Sequence, residues 1–415
     1  MKKITTLLTA IIGMAFMNQV SATHVTVEVP TAGQLSSLVQ NANCDSITIS
    51  GNLDGNDFWF IREQMPNLIY LNIGKVTVPD NKLPESGLYS KKALQKIILP
   101  DNLGTIGNHA FAYCSNLKDI TFPKSLVTIE YNAFYQSGLT EATLPDKLKN
   151  IGDAAFYECY NLKKVNFPEK LVSIGNSAFR QCNLSEIAFP DSLKAIGSNA
   201  FRYCQQLQKV TFPEKLETIG THAFNDCFRL HTATLKGKTA PVISDNTFNY
   251  TKVFYVPEGA AQTYKEAPNW SNLVIIDGNT PKKITVTLTT AGTLGEEILK
   301  QVDYVKQVNE LVINGPLNSD DFYQIQQQTT NLIAIDLIGA TIESLPENFF
   351  YERTALLDIK LPATLKNIGR YAFYRCHGLT QITIPEGVTN VGDYAFYNCI
   401  YNHRTTKTNQ KYPSV

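Results

Sequence analysis

Between Leu99 and Lys236 the chain writes one phrase six times. Its prolines fall at Pro100, Pro123, Pro145, Pro168, Pro190 and Pro213, spaced alternately 23 and 22 residues apart. Phe111, Phe134, Phe156, Phe179, Phe201 and Phe224 keep step, each preceded by alanine and followed three residues later by Cys114, Ser137, Cys159, Cys182, Cys204 or Cys227. A fixed period in the twenties means a solenoid, because one turn cannot bury its own apolar face and must stack on its neighbours. Function is therefore expected on a repeating surface.

The unit reads L-x-x-I-x-[F/L]-P-x-x-L-x-x-I-G-x-x-A-F-x-x-C, as at Leu117, Ile120, Phe122, Pro123, Leu126, Ile129, Ala133 and Phe134. Ile120 and Phe122 alternate at period two, the mark of a short half-buried strand, and the proline after them cannot donate to a ladder and ends it. A second extended piece, L-x-x-I, stops at Gly107, Gly152, Gly175, Gly197 or Gly220, where a positive φ is expected, before A-F-x-x-C makes a short helical turn. Stacked turns put equivalent residues in columns about 4.8 Å apart, and each buried Phe contributes about 1.5–3 kcal/mol.

These phrases resemble the leucine-rich repeats of the BspA type, found mainly in surface and secreted proteins of Bacteroidetes and in some protozoa. The resemblance covers nearly all of the chain after its first residues. It implies an α/β repeat solenoid of 22- to 23-residue turns with short parallel strands in a ladder and, for some members, adhesion to matrix or plasma glycoproteins.

Residues 1–22 read as an export signal: Lys2 and Lys3, an apolar run from Leu7 to Phe16, then Val20-Ser21-Ala22 before the expected cut. The run is short for a membrane span of about 30 Å, and no cysteine beside the cut offers a lipid anchor. With 37 basic and 37 acidic side chains, no general field draws the molecule to nucleic acid or to an anionic membrane. Seven of the eight cysteines (Cys114, Cys159, Cys182, Cys204, Cys227, Cys376, Cys399) share one repeat position that Ser137 also fills, so a buried reduced column is expected over disulfides, with Cys44 free outside it. Neither C-x-x-C pairs nor clustered histidines offer a metal site, and no cofactor is expected.

Residues 23–98 read as an N-terminal cap with irregular turns, and 99–236 as the regular array. Residues 237–281 read as a closing cap and linker, in which Tyr264 and Trp270 cover the open end of the core. In the cap, Asp54-Gly55-Asn56-Asp57 lacks the alternating ligands of a calcium loop and reads as a helix cap. The pattern then restarts: Thr290-Ala291-Gly292 matches Thr31-Ala32-Gly33, and Asp321-Phe322-Tyr323 matches Asp57-Phe58-Trp59. This predicts a tandem duplication, with a second cap over 282–360, a short second array over 361–400 and a disordered tail over 401–415, where the reading frame looks cut short.

The six histidines are scattered, and no nucleophile elbow or phosphate-cradling glycine loop is present, so catalysis is not expected. The candidate site is the outer face of the strand ladder. Its columns hold Asp119, Glu141, Lys164, Glu186 and Lys209 in one row and Thr121, Thr143, Asn166 and Thr211 in the next. Two readings stand side by side there: a solvated sheet surface, in which threonine serves strand propensity, or an extended face that binds proteins or glycoproteins. Tyr135, Tyr157, Tyr374 and Tyr397 offer an alternative contact surface elsewhere on the coil. An exported or surface-held binding protein is the expectation, and a scaffold for other envelope proteins is the alternative.

Overall fold

The computed structural model describes residues 24–399, so the export signal and the tail lie outside the described residues. The first parallel sheet runs His24–Val29, Ser46–Asn52, Tyr70–Thr77, Lys96–Ile98, Asp119–Thr121 in chain order. Its inward positions Val29, Ile47, Ile49, Leu71 and Ile73 are buried, as period-two alternation requires. The helix Gly55–Gln64 packs over it through Phe58 and Ile61. Asp54 caps that helix by accepting from Asn56 N and Asp57 N, and the buried Asp57 carboxylate takes the N–H groups of Gly33 (2.6 Å), Leu35 (2.9 Å) and Asp54 (3.0 Å). One carboxylate thus satisfies three backbone donors that would otherwise be stranded. Asp321 does the same for Gly292, Leu294 and Asn318.

Each regular turn adds two strands. The two-residue strands Lys82–Leu83, Thr105–Ile106, Thr128–Ile129, Asn150–Ile151, Ser173–Ile174, Ala195–Ile196 and Thr218–Ile219 form one unbroken parallel ladder. The three-residue strands do not. Their ladder is interrupted between Asp119–Thr121 and Glu141–Thr143, and again between Lys164–Asn166 and Glu186–Ala188. Both interruptions fall on a 22-residue turn. The missing residue lies in the corner just before the strand, where Cys114-Ser115-Asn116-Leu117 shortens to Ser137-Gly138-Leu139 and Cys182-Asn183-Leu184. Only the adjacent ladder feels the loss.

The core is a pile of phenyl rings. Phe111, Phe134, Phe156, Phe179, Phe201 and Phe224 are fully buried and stack with centroids 5.0–5.3 Å apart, and Phe248 extends the pile by 5.5 Å beyond the regular array. Phe122, Phe167 and Phe212 meet it edge-on, which suits the ring quadrupole.

Two local expectations are corrected. The A-F-x-x-C segment is not a helical turn: its backbone alternates, with His109 and Tyr113 at φ 55° and 62° and equivalent residues in every regular turn likewise left-handed. Alternate N–H groups consequently point along the stack, from Phe111 to Ala133 O (2.7 Å) and from Tyr113 to Tyr135 O (2.7 Å). The N–H groups between them close local turns, Ala112 to His109 O (3.0 Å) and Cys114 to Phe111 O (3.2 Å). Nor do the repeat glycines have positive φ. A Cβ on Gly197 would lie 2.6 Å from Asn176 N, and one on Gly220 2.4 Å from Ser198 N, so glycine is there for the close approach of successive backbones. Glu130 fills the equivalent place once, and its carboxylate there takes Lys82 Nζ (2.6 Å) and Asn108 N (3.1 Å).

The cysteine column is unpaired and buried except at its last member, Cys399, which is half-buried, and Cys44 is buried and free outside it. Each column thiol donates to a carbonyl of the preceding turn, Cys182 to Phe156 O (3.1 Å) and Cys204 to Phe179 O (3.2 Å) among them, and Ser137 replaces one while touching Cys159 Sγ at 3.3 Å. Burial pushes Cys159 and Cys204 up to about 12. Thiolate is the reactive form, so at pH 8 a thiol reagent should leave Cys182 and Cys204 of the native chain unlabelled and label all eight after unfolding. The melting temperature should not move on adding reductant. Rapid labelling of either residue in the folded protein, read by mass spectrometry, would contradict the column.

After the regular turns the same sheet continues through the strands Val253–Val256 and Val274–Asp277, with the helix Ala261–Glu266 between them; residues 24–277 are called the first coil below and 283–399 the second. Trp270 and Tyr264 are fully buried; the indole donates to Pro241 O (2.9 Å) and the phenol to Gly237 O (2.8 Å). The outer face of these strands is covered too. Val253, Val274 and Ile276 pack on Ile333, with Tyr255, Ala355 and Leu357 at the margin. A second parallel sheet follows, Lys283–Thr287, Glu310–Pro316, Ala334–Asp336 and Asp358–Lys360, and a second ladder of Ser344–Leu345, Asn367–Ile368 and Asn390–Val391. Phe350, Phe373 and Phe396 stack through it.

Candidate functional site

Alternation along the three-residue strands decides which side chains reach solvent. Ala142, Ile187 and Val210 are buried and Ile120 and Val165 half-buried. Asp119, Thr121, Glu141, Thr143, Lys164, Asn166, Glu186 and Lys209 are exposed, and Thr211 is half-buried. Register aligns Lys96 with Asp119, Glu141 with Lys164, and Glu186 with Lys209. Lys96 and Asp119 close an ion pair at 2.7 Å. Among the described residues Glu141, Lys164, Glu186 and Lys209 have no ion-pair partner, so their charges stay in water.

The interruptions of the ladder divide this face into three parts: one ending at Asp119–Thr121, one of Glu141–Thr143 with Lys164–Asn166, and one starting at Glu186–Ala188. At the far ends of the columns stand two aromatic residues that the six regular turns alone do not reveal. Tyr70 is in register with Lys96, and Tyr255 with Thr234.

The tyrosine surface is more extensive than its four expected members. Tyr89, Tyr113, Tyr135 and Tyr157 touch in sequence at 5.3, 5.0 and 5.3 Å, and the Arg180 guanidinium then lies between Tyr157 (5.2 Å) and Tyr203 (5.6 Å). Glu158 ties the group together. Burial pushes its carboxyl up, but hydrogen bonds from Gln136, Tyr160, Tyr157 and Tyr135 outweigh that and hold it below the usual range. Burial and the Glu158 charge push the Tyr135 phenol well up. In the second coil Tyr351, Tyr374 and Tyr397 stack at 4.9 and 5.3 Å, with Arg375 over Tyr374 at 5.3 Å. The sequence signal for the missed members is a second aromatic column, two places after the core Phe, at Tyr113 and Tyr203.

Among the described residues no group of three His, Cys, Asp or Glu side chains could hold a metal ion, and no helix is long and apolar enough to cross a membrane. A coil of such turns, with a strand ladder on one side and stacked phenylalanines within, is a leucine-rich repeat solenoid. The chain belongs to the BspA type leucine rich repeat family, whose six-copy repeat model matches residues 81–204, 127–255 and 318–412. Among solved structures it is similar to the leucine rich repeat protein of T. pallidum, at 28% identity over 39% of this chain and 78% of that one, with a TM-score of 0.37. It is also similar to a leucine rich cell surface protein of Faecalibacterium prausnitzii A2-165 (20% identity, 91% of this chain, 79% of that one, TM-score 0.37). A third likeness is a leucine-rich repeat protein of Bacteroides ovatus ATCC 8483 (21%, 80% and 85%, TM-score 0.32). No curated protein sequence matches this chain.

Proposed function

We propose that the protein is exported and binds macromolecules, proteins or glycoproteins, along the ladder face, without catalysis. The observation that carries this reading is two exposed cross-strand pairs, Glu141 in register with Lys164 and Glu186 in register with Lys209, one on each side of the second break in the ladder and none of the four in an ion pair among the described residues. Repeat proteins bind along such extended surfaces, where affinity comes from breadth rather than from one pocket. The threonine and asparagine row beside these pairs adds neutral donors and acceptors. The signal-like residues 1–22 support export, and a host matrix or plasma glycoprotein is the ligand class that the family resemblance implies.

The test is binding of the purified mature chain to immobilised matrix glycoproteins and plasma proteins. Replacing Lys164, Asn166, Lys209 and Thr211 together by Glu, Ala, Glu and Ala should weaken binding at least tenfold with the melting temperature unchanged. Binding should also weaken as salt rises, because exposed charges are screened. A folded wild-type chain that binds nothing on the panel would instead favour the envelope-scaffold reading.

A further inference from the structure

The second short corner of the coil, Cys182-Asn183-Leu184, leaves a gap in the row of corner loops. The turns on either side carry the longer corners Cys159-Tyr160-Asn161-Leu162 and Cys204-Gln205-Gln206-Leu207. Between them lies a notch of about 420 Å³, lined by Tyr160, Gln181, Cys182, Asn183, Tyr203, Gln205 and Gln206. That volume suits a small-molecule site. It lies at a corner of the coil rather than on the ladder face.

The lining has a consistent chemistry. It contains no side chain charged at neutral pH and two tyrosines. It also has four amides, and among the described residues none of these amides has a hydrogen-bond partner in the protein. Each amide offers two donors and an acceptor with two lone pairs. Tyr160 is about half exposed at 53%, and burial first, with the nearby Glu158 carboxylate second, pushes its phenol up. Tyr203 carries Arg202 at 4.8 Å over its ring, and its hydroxyl accepts from Arg202 Nη2 at 3.3 Å. Arg202 is in turn paired with Asp226 at 3.2 Å, so its charge is already answered.

The other short corner, Ser137-Gly138-Leu139, is furnished differently. Gly138 stands where Asn183 does, Ser115 where Tyr160 does, and Glu158 where Tyr203 does, with Glu158 already bonded to Gln136. Tyr160 and Asn161 follow that corner as Gln205 and Gln206 follow the second, so what sets the second apart is Asn183, with Tyr160 and Tyr203 on its two sides.

We propose that this notch is a binding site for a neutral saccharide, such as a terminal or internal unit of a glycan. A pyranose ring presents an apolar C–H face, which packs on an aromatic ring, and a rim of hydroxyls, which paired amide donors and acceptors can satisfy. None of the seven lining side chains is charged; the Arg180 guanidinium, over the Tyr203 ring at 5.6 Å, is the cation that an acidic glycan would have to reach, which is why the test includes acidic oligosaccharides. An apolar ligand would leave the amides without hydrogen-bond partners and cut off from water.

The experiment uses the mature chain on an array of neutral and acidic oligosaccharides, followed by saturation-transfer NMR with the best neutral binder. Tyr160→Ala and Gln206→Ala should each weaken that binder at least tenfold, while Tyr160→Phe, which keeps the ring, retains most of the affinity. The ladder-face variant carrying Lys164→Glu and Lys209→Glu should bind the saccharide as wild type does, so this site and the ladder reading fail separately. The proposal is overturned by a folded chain that binds no neutral saccharide, by a preference for acidic glycans that salt abolishes, or by binding that both notch variants leave unchanged.

Discussion

Replacing Phe179 by alanine should cost about 3–5 kcal/mol of unfolding free energy, the range for truncating a fully buried aromatic ring that neighbours cannot refill. The ring has no exposed surface. It stacks on Phe156 at 5.1 Å and Phe201 at 5.3 Å, and Phe167 meets it edge-on at 5.5 Å, so three rings lose a partner at once. Collapse into the void is hindered because each neighbour is held by its own turn, through N–H bonds such as Phe179 N to Ala200 O (2.8 Å). Since a solenoid is stabilised mainly through contacts between adjacent turns, weakening one contact in the middle should also uncouple the halves on either side. Urea unfolding followed by circular dichroism should show a lower midpoint and a broader or split transition. The same change at Phe396, half-buried with Phe373 as its stacking partner at 5.2 Å, should cost distinctly less. A loss below about 1 kcal/mol at Phe179, or equal losses at the two positions, would remove the phenyl pile from its central place in the stability of the coil.

How much of this was legible in advance depended on whether a feature is made by residues or by the spaces between them. The ladder columns and the phenyl pile follow from period and alternation, and Ser137 among the cysteines pointed to packing rather than pairing. The glycines misled because their usual explanation, a positive φ, is local, whereas their real constraint is the backbone of the turn beneath. The two left-handed residues in each turn are His, Tyr, Asn, Gln, Ala, Glu, Ser or Asp, a mixture without the glycine that would announce them. The alternation of 23 and 22 was plain in the sequence. Its consequences, a divided ladder and a notch at one corner, come from a residue that is not there. The contact of Val253, Val274 and Ile276 with Ile333 was hidden for another reason: each reads as an ordinary buried strand residue, and nothing in a strand pattern says which sheet covers it.

Acidification from pH 7 to pH 4 should remove about 3 kcal/mol of stability through His231 alone. Its two ring nitrogens are buried without a hydrogen-bond partner among the described residues. Burial first, and the nearby His377 second, pull its pKa from 6.5 down to about 4. His377 reaches this region from the second coil, its ring 5.2 Å from Tyr250, and is itself lowered by burial, with Arg375 and Lys252 adding to the effect and Asn398 and Glu352 opposing it. Lys252, on the same side of the contact, is also lowered by burial. The native state therefore holds His231 neutral while the unfolded chain binds a proton near pH 6.5. Stability is full above that value, falls as pH drops from 6.5 to about 4, and levels off below, where both states are protonated. Carboxylates titrate at the lower end of the same window, so the quantity to measure is a difference. Urea midpoints of wild type and His231→Phe at pH 7, 5.5 and 4 should converge on the variant's flatter profile, with wild type losing about 3 kcal/mol more over the span. Parallel profiles would mean that the imidazole takes up its proton without leaving the contact between the two coils, and that this contact is wet rather than packed.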